Sequence, residues 1–257
     1  MWRHWPQDAH SVGLASVEEV QAPWWARAEE SASMSAATPD QATLDELAAR
    51  SASFENAAPG EIISWAIETY APSIAYACSF QDIVLLDLAT KQDPTLEVIF
   101  LDTEAHFPET LSYVDLVKER YGLNLTVTRP DESTNPVPCG ESGCCQDRKV
   151  APLAAALAGH SAWLTSVKRV DAQTRGDAPI VSWDEKFGLI KINPLATWTD
   201  EDVAYYEKAN DLLIHPLIPQ GYLSIGCAPT TRPVAPGEDP RAGRWSDSDK
   251  TECGLHG

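Results

Sequence analysis

Three short apolar runs separated by helically spaced segments constrain this chain more than any other feature. SIAYACSF (73–80), LEVIFLDT (96–103) and LNLTVTRP (123–130) read as strands, the first two apolar enough to be buried on both faces. Between them, QDIVLLDLATK (81–91) and FPETLSYVDLVKERYG (107–122) carry apolar residues at helical spacing, with Pro108 suited to a first turn and Gly122 to an end. A β-α-β-α-β run of this kind predicts an α/β fold: a parallel sheet flanked by helices.

The same alternation extends in both directions. TLDELAARS and GEIISWAIETY have helical spacing upstream, so order is expected from about Thr43. Downstream, a Pro/Gly-rich loop (130–143) leads to CCQDRKVAPLAAALAG, a helix starting near Cys144, and then to the strand SAWLTSVKR. APIVSWD and GLIKINPL read as shorter strands, and TDEDVAYYEKAND as a helix capped by Thr199. The domain reading is a poorly ordered extension over 1–42, an α/β domain over 43–245 and a mobile tail over 246–257. The extension holds Trp2, Trp5, Trp24 and Trp25, which leaves packing on the body or on a second copy open, and with it a homo-oligomer.

A formal net charge of −19 argues against nucleic acid and anionic membranes as partners. Basic residues are nevertheless grouped: Arg148, Lys149, Lys168, Arg169 and Arg175, then Arg232, Arg241 and Arg244, as a pocket for a small anion would need. No run approaches the roughly 18 apolar residues of a membrane helix. The first residues, MWRHWPQDAH, lack the apolar centre of a secretory signal, so a cytoplasmic location is expected. In that compartment the six cysteines read as burial, catalysis or metal binding rather than disulfides.

Three groups of residues carry chemistry. In ACSFQD (77–82) a strand turns into a helix, and Ser79 is placed to cap that helix or to meet an anion. Asp102 and Thr103 end the next strand, and strand ends of this kind gather ligands in open parallel sheets. Cys144 and Cys145 stand side by side at a helix start, where thiols are acidified, and with Cys227 they read either as soft-metal ligands or as buried thiols. In SIGCAPTTRPV (224–234) the second position of a Cys-x-x-Cys spacing is Thr230. KTECGLHG (250–257) places Cys253 on a chain end, able to act as a swinging nucleophile, with His256 to lower its pKa or meet substrate charge.

Together with FLDTEAHFPET, CCQDRKVAPL, AWLTSVKR, TRGDAPIV, GYLSIGCAP and TRPVAPGEDPRAGRW, these motifs resemble the assimilatory adenylyl-sulfate and phosphoadenylyl-sulfate reductases, and most closely their cluster-bearing bacterial branch. The resemblance runs from about Ala71 to Gly257. It implies a Rossmann-like adenine-nucleotide α-hydrolase fold related to the PP-loop ATPases. It also implies adenosine 5′-phosphosulfate as substrate and thioredoxin or a similar dithiol as reductant. Cys253 would attack the substrate's sulfur and expel AMP, passing through an S-sulfo-cysteine. Ser79 would lie in the sulfate/phosphate loop, Leu101 under the adenine, and Arg175, Arg241 and Arg244 on the phosphosulfate. Lys149 would sit between the substrate and a 4Fe–4S cluster held by Cys144, Cys145 and Cys227.

Two positions depart from the family pattern. Thr230 stands where the fourth cluster ligand is expected, leaving three arrangements: a three-thiolate cluster, Cys139 as substitute ligand, or no cluster. Ser166 stands where the family has glycine, so a side chain is expected to narrow the nucleotide site. The retained cysteines favour adenylyl sulfate over its 3′-phosphorylated form. The alternatives are a phosphoadenylyl-sulfate reductase without a functional cluster and a non-catalytic iron–sulfur or redox-sensing relative. An ATP pyrophosphatase is disfavoured, because SFQD lacks the glycines that let backbone wrap pyrophosphate.

Overall fold

The structure is a computed structural model and describes residues 38–246, 250 and 252–255. Of the expected N-terminal extension, residues 1–37 lie outside the described residues, and so does His256. Two helices open the fold: α1 (Gln41–Ser53), whose cap Asp40 accepts from Thr43 N at 2.9 Å, and α2 (Pro59–Tyr70), with proline in its first turn.

Six strands then form one sheet: β1 (Ile74–Ala77), β2 (Glu97–Leu101), β3 (Leu125–Thr128), β4 (Ala162–Leu164), β5 (Val181–Asp184) and β6 (Leu189–Ile192). Their order is β3-β2-β1-β4-β6-β5, every pair parallel except β5 with β6. The crossovers are α3 (Val84–Thr90) between β1 and β2, α4 (Pro108–Tyr121) between β2 and β3, and α5 (Ala151–Ala156) before β4; α6 (Asp200–Ala209) follows β6. Chain order reverses between β1 and β4, which opens a crevice at the strand ends there.

The sheet is buried on both faces, as the apolar runs require. Ile74, Tyr76, Val98, Phe100, Leu164 and Ile192 face a large core shared with α2, α3 and α4. Their alternates Ala75, Ile99, Trp163 and Leu189 face a smaller core with Leu153 and Leu157 at α5. Fully buried aliphatic side chains such as Ile63 and Leu86 each contribute about 1.5–3 kcal/mol relative to exposure. Buried Asp87 cross-links three helices, accepting from Tyr121 Oη at 3.0 Å and Tyr206 Oη at 2.7 Å while pairing with Lys91 at 2.6 Å.

The expected helix ends are met by local chemistry. Gly122 closes α4 in the left-handed region at φ 61°, and Thr199 caps α6 through a reciprocal box with Asp202. Two elements differ from expectation. The helix after β1 starts at Val84 rather than at Gln81, because Phe80 sits at φ 57° and holds the turn open. The helix at Cys144 widens into a π-helix over Gln146–Val150 before α5. Pro152 explains the widening: it offers no N–H to Arg148 and its ring would crowd that carbonyl in a regular α-helix.

Candidate active site

The crevice at the sheet's reversal holds a cavity of about 630 Å³, lined by the turns after β1, β2 and β4. Cys78, Ser79, Gln81 and Asp82 come from the first turn, Leu101, Thr103 and His106 from the second, and Thr165, Ser166 and Lys168 from the third. Ser79 is exposed and does not cap α3; Asp82 Oδ1 accepts from Val84 N at 3.3 Å instead. The Ser79 hydroxyl, 3.5 Å from Gln81 N, is thus left facing the cavity. Ser166 turns its hydroxyl to Tyr76 Oη at 2.6 Å, so its bulk is tied to the wall.

Three arginines reach this cavity from two sequence-distant loops, Arg175 from one and Arg241 and Arg244 from the other. Arg244 lies with its guanidinium carbon 4.4 Å from the centre of the Trp245 ring and donates to Ser224 Oγ and Ile225 O, each at 3.2 Å. Its Nε is buried with no hydrogen-bond partner, and no carboxylate pairs with it among the described residues. Burial, then the neighbouring Arg241, push the Arg244 pKa down, the signature of a cation that lacks a counter-anion. Gly226 makes the approach feasible, because a Cβ there would stand 2.2 Å from Arg244 Nη2. Arg175 and Arg241 instead share Glu252 of the tail, at 2.8 and 3.1 Å. Burial alone would raise the Glu252 carboxyl, but the two arginines outweigh it and hold it below its ordinary value.

The described tail residues close over this cavity. Cys253 is half-buried and lines it, near enough for its charge to act on Arg175, Lys191 and Arg244. Gly254 O accepts from Lys186 Nζ, and Leu255 packs on the smaller core.

A second cavity of about 930 Å³ adjoins the first, with Lys149 and Trp245 lining both. It is lined by four thiols, Cys139, Cys144, Cys145 and Cys227, and by Thr230. Cys139 and Cys227 titrate as a pair: Cys227 is pushed below its ordinary value by Cys139 and further by Lys149 and by Thr103, whose Oγ1 lies 3.5 Å away, and Cys139 is pushed above its own. Burial would raise the Cys145 thiol, but Lys250 Nζ at 3.0 Å, with Lys149, brings it below its ordinary value. Among the described residues no three His, Cys, Asp or Glu side chains converge as a single metal ion requires.

This pairing of an anion crevice with a thiol-lined cavity can be set against known proteins. The phosphoadenosine phosphosulfate reductase domain matches residues 71–233. The chain belongs to this family. The adenosine 5′-phosphosulfate reductase of Rhodococcus opacus is 44% identical over 246 residues, 88% of this chain and 99% of that protein. The protein of the same name from Mycolicibacterium smegmatis is 46% identical over 223 residues, 83% of this chain and 94% of that one. Among solved structures, the phosphoadenylyl-sulfate reductase of Candida auris, a phosphate complex, matches with a TM-score of 0.64 at 26% identity, covering 77% of this chain and 100% of that one. The FMN adenylyltransferase of Candida glabrata, at TM-score 0.55 and 14% identity, shares the fold alone.

Within this reductase family member, the residues singled out from the sequence divide between the two cavities. Ser79, Leu101, Lys149, Arg175, Arg241, Arg244 and Cys253 line the crevice, and all four proposed cluster cysteines line its neighbour. His256 lies outside the described residues. From the sequence, Trp245, Gly226 and Lys250 carry no assigned role, and Lys168 stands only within the basic group. Lys168, buried, pairs with Asp171 at 2.7 Å. Trp245 and Gly226 were signalled only by lying in the two motifs GYLSIGCAP and GRW; their joint purpose, cradling Arg244, needs the fold.

Proposed function

We propose that this chain reduces adenosine 5′-phosphosulfate to sulfite and AMP, as an enzyme of sulfate assimilation. The observation that carries the reading is Cys253 lining a cavity with three arginines, one of which, Arg244, holds a buried Nε with no hydrogen-bond partner among the described residues. The names of the curated relatives support adenylyl sulfate as the substrate.

The chemistry follows from the side chains. The crevice binds the nucleotide at the strand ends, with Leu101 and the β2 turn toward the adenine and the arginines on the phosphosulfate. The Cys253 thiolate attacks the substrate's sulfur; an S–S bond forms and the S–O bond to the phosphate breaks. The electron pair leaves on AMP, whose charge Arg175, Arg241 and Arg244 neutralise. A dithiol such as thioredoxin then attacks the Cys253 sulfur. Sulfite leaves, a mixed disulfide forms, and the second thiol resolves it, so the dithiol loses two electrons and Cys253 is regenerated. For that second step the tail moves out of the crevice, which releases Glu252 from Arg175 and Arg241 and exposes the Cys253 sulfur to the dithiol. His256 is assigned to lower the Cys253 pKa or to meet substrate charge.

The thiol chemistry of the second cavity fits an iron–sulfur cluster, with Cys144, Cys145 and Cys227 as ligands. When bound, such a group supplies a charged, polarisable neighbour to Lys149, which lines both cavities. Lys149 and Trp245 form the wall across which that field reaches the substrate anion.

Mass spectrometry tests the covalent step. Incubation with adenosine 5′-phosphosulfate and no reductant should add one sulfonate to the Cys253 peptide, and none in Cys253→Ser. An adduct on another cysteine, or none on the native chain, rejects the assigned nucleophile.

A further inference from the structure

We infer that Cys139 supplies a fourth thiolate to the thiol-lined cavity, in the role that the Thr230 position does not fill. The inference rests on the cluster reading above and concerns one of its ligands.

The first support is placement. Cys139 lines the same cavity as Cys144, Cys145 and Cys227. The second is what Thr230 does. Its hydroxyl is turned to the Cys227 carbonyl at 3.4 Å, inside its own 3-10 turn. Its methyl lies against the Cys139–Gly140 segment, 3.6 Å from where a Gly140 Cβ would stand. The loop that carries Cys139 thus packs directly on position 230. A neutral hydroxyl is also a far weaker ligand than a thiolate for iron of this kind.

The third support is that the loop is anchored. Arg148 Nε donates to Val137 O at 2.7 Å, and Asp147 Oδ2 accepts from Val137 N at 3.0 Å, so the helix carrying Cys144 and Cys145 grips the chain two residues before Cys139. Arg148 also donates to Thr103 O at 3.1 Å, fastening that helix to the β2 turn beside Cys227. Gly140 at φ 102° gives the chain its turn immediately after the thiol. Ligation forms one S–Fe bond and releases the thiol proton to solvent; no electron changes hands.

The test compares the native chain, Cys139→Ser, Thr230→Cys and the double variant, purified without oxygen. Iron and acid-labile sulfide are counted, and iron loss to a chelator is timed. The native chain should hold about four irons and four sulfides. Cys139→Ser should lose iron to chelator at least about tenfold faster, or give the paramagnetic signal of a three-iron form on mild oxidation. Thr230→Cys added to Cys139→Ser should restore the native rate, with the far-ultraviolet spectrum unchanged throughout as the folding control. Equal iron content and release in Cys139→Ser, or failure of Thr230→Cys to restore them, overturns the ligand assignment while leaving the cluster reading standing. An iron-free native chain under the same conditions overturns the cluster reading itself.

Discussion

Arg244 shows how single residues build the anion site. Its fork is held by Ser224, Ile225 and the face of Trp245, and the missing side chain of Gly226 leaves its space. Gly226→Ala must therefore displace the guanidinium. AMP affinity should fall about tenfold or more, since one charge-assisted contact is worth about 1.5–3 kcal/mol, while thermal stability changes little. Calorimetric titration with AMP reads this directly. Arg244→Lys should lose nearly as much, because an ammonium cannot stack on Trp245 and fork toward an oxyanion in the same pose. Unchanged AMP binding in both variants would remove Arg244 from the site.

The tail, as an element, competes with the substrate. Glu252 occupies Arg175 and Arg241, the cations assigned to the phosphosulfate. Glu252→Gln should release them: AMP binds about threefold or more tightly, consistent with losing about 1 kcal/mol of partly buried ion pairing. Sulfonation of Cys253 should slow in the same variant, because the contact that docks the thiol is weakened. Titration and single-turnover mass spectrometry separate the two effects, and weaker AMP binding would mean that Glu252 organises the arginines rather than blocking them. The pH dependence has a fixed sign. The Glu252 carboxyl is held below its ordinary value, so docking is complete above the ordinary value and is lost as pH falls from there through the lowered one. The helices taught a second lesson. Proline, glycine and Thr199 mark their ends, and Pro152 accounts for the π-turn at Gln146–Val150, but the late start of α3 depends on the positive φ of Phe80, which its residue type does not display.

For the whole molecule, the crevice imposes a stability cost that pH reveals. Burial pushes the Glu207 carboxyl up to about 7, Asp82 adds to it and Lys168 opposes. In the unfolded chain the same group titrates near about 4.3. Between those values the folded chain holds more protons, so stability falls as pH rises from 5 to 8. Asp82, itself raised by burial, acts in the same direction. Glu207 is half-exposed, and after solvent screening its share is about 1 kcal/mol. Urea unfolding of the native chain and of Glu207→Gln at both ends of that range checks it: the variant should lose most of the slope, and an unchanged slope would place the cost elsewhere. The sequence by itself determined the alternation of strands and helices, the parallel sheet and the helix caps. These depend on residues within a few positions of each other, and on apolar periods that do not need the rest of the chain. It also named the crevice residues and the cysteines, though not their meeting. Only the tertiary structure decided that Glu252 lies on Arg175 and Arg241, that Gly226 leaves room for Arg244, and that Cys139 and Cys227 line one cavity. Such contacts join distant segments: Arg175 and Glu252 lie 77 positions apart, and Cys139 and Cys227 further still. They exist because β1 and β4 lie side by side in the sheet, a choice made by packing and invisible to any local pattern.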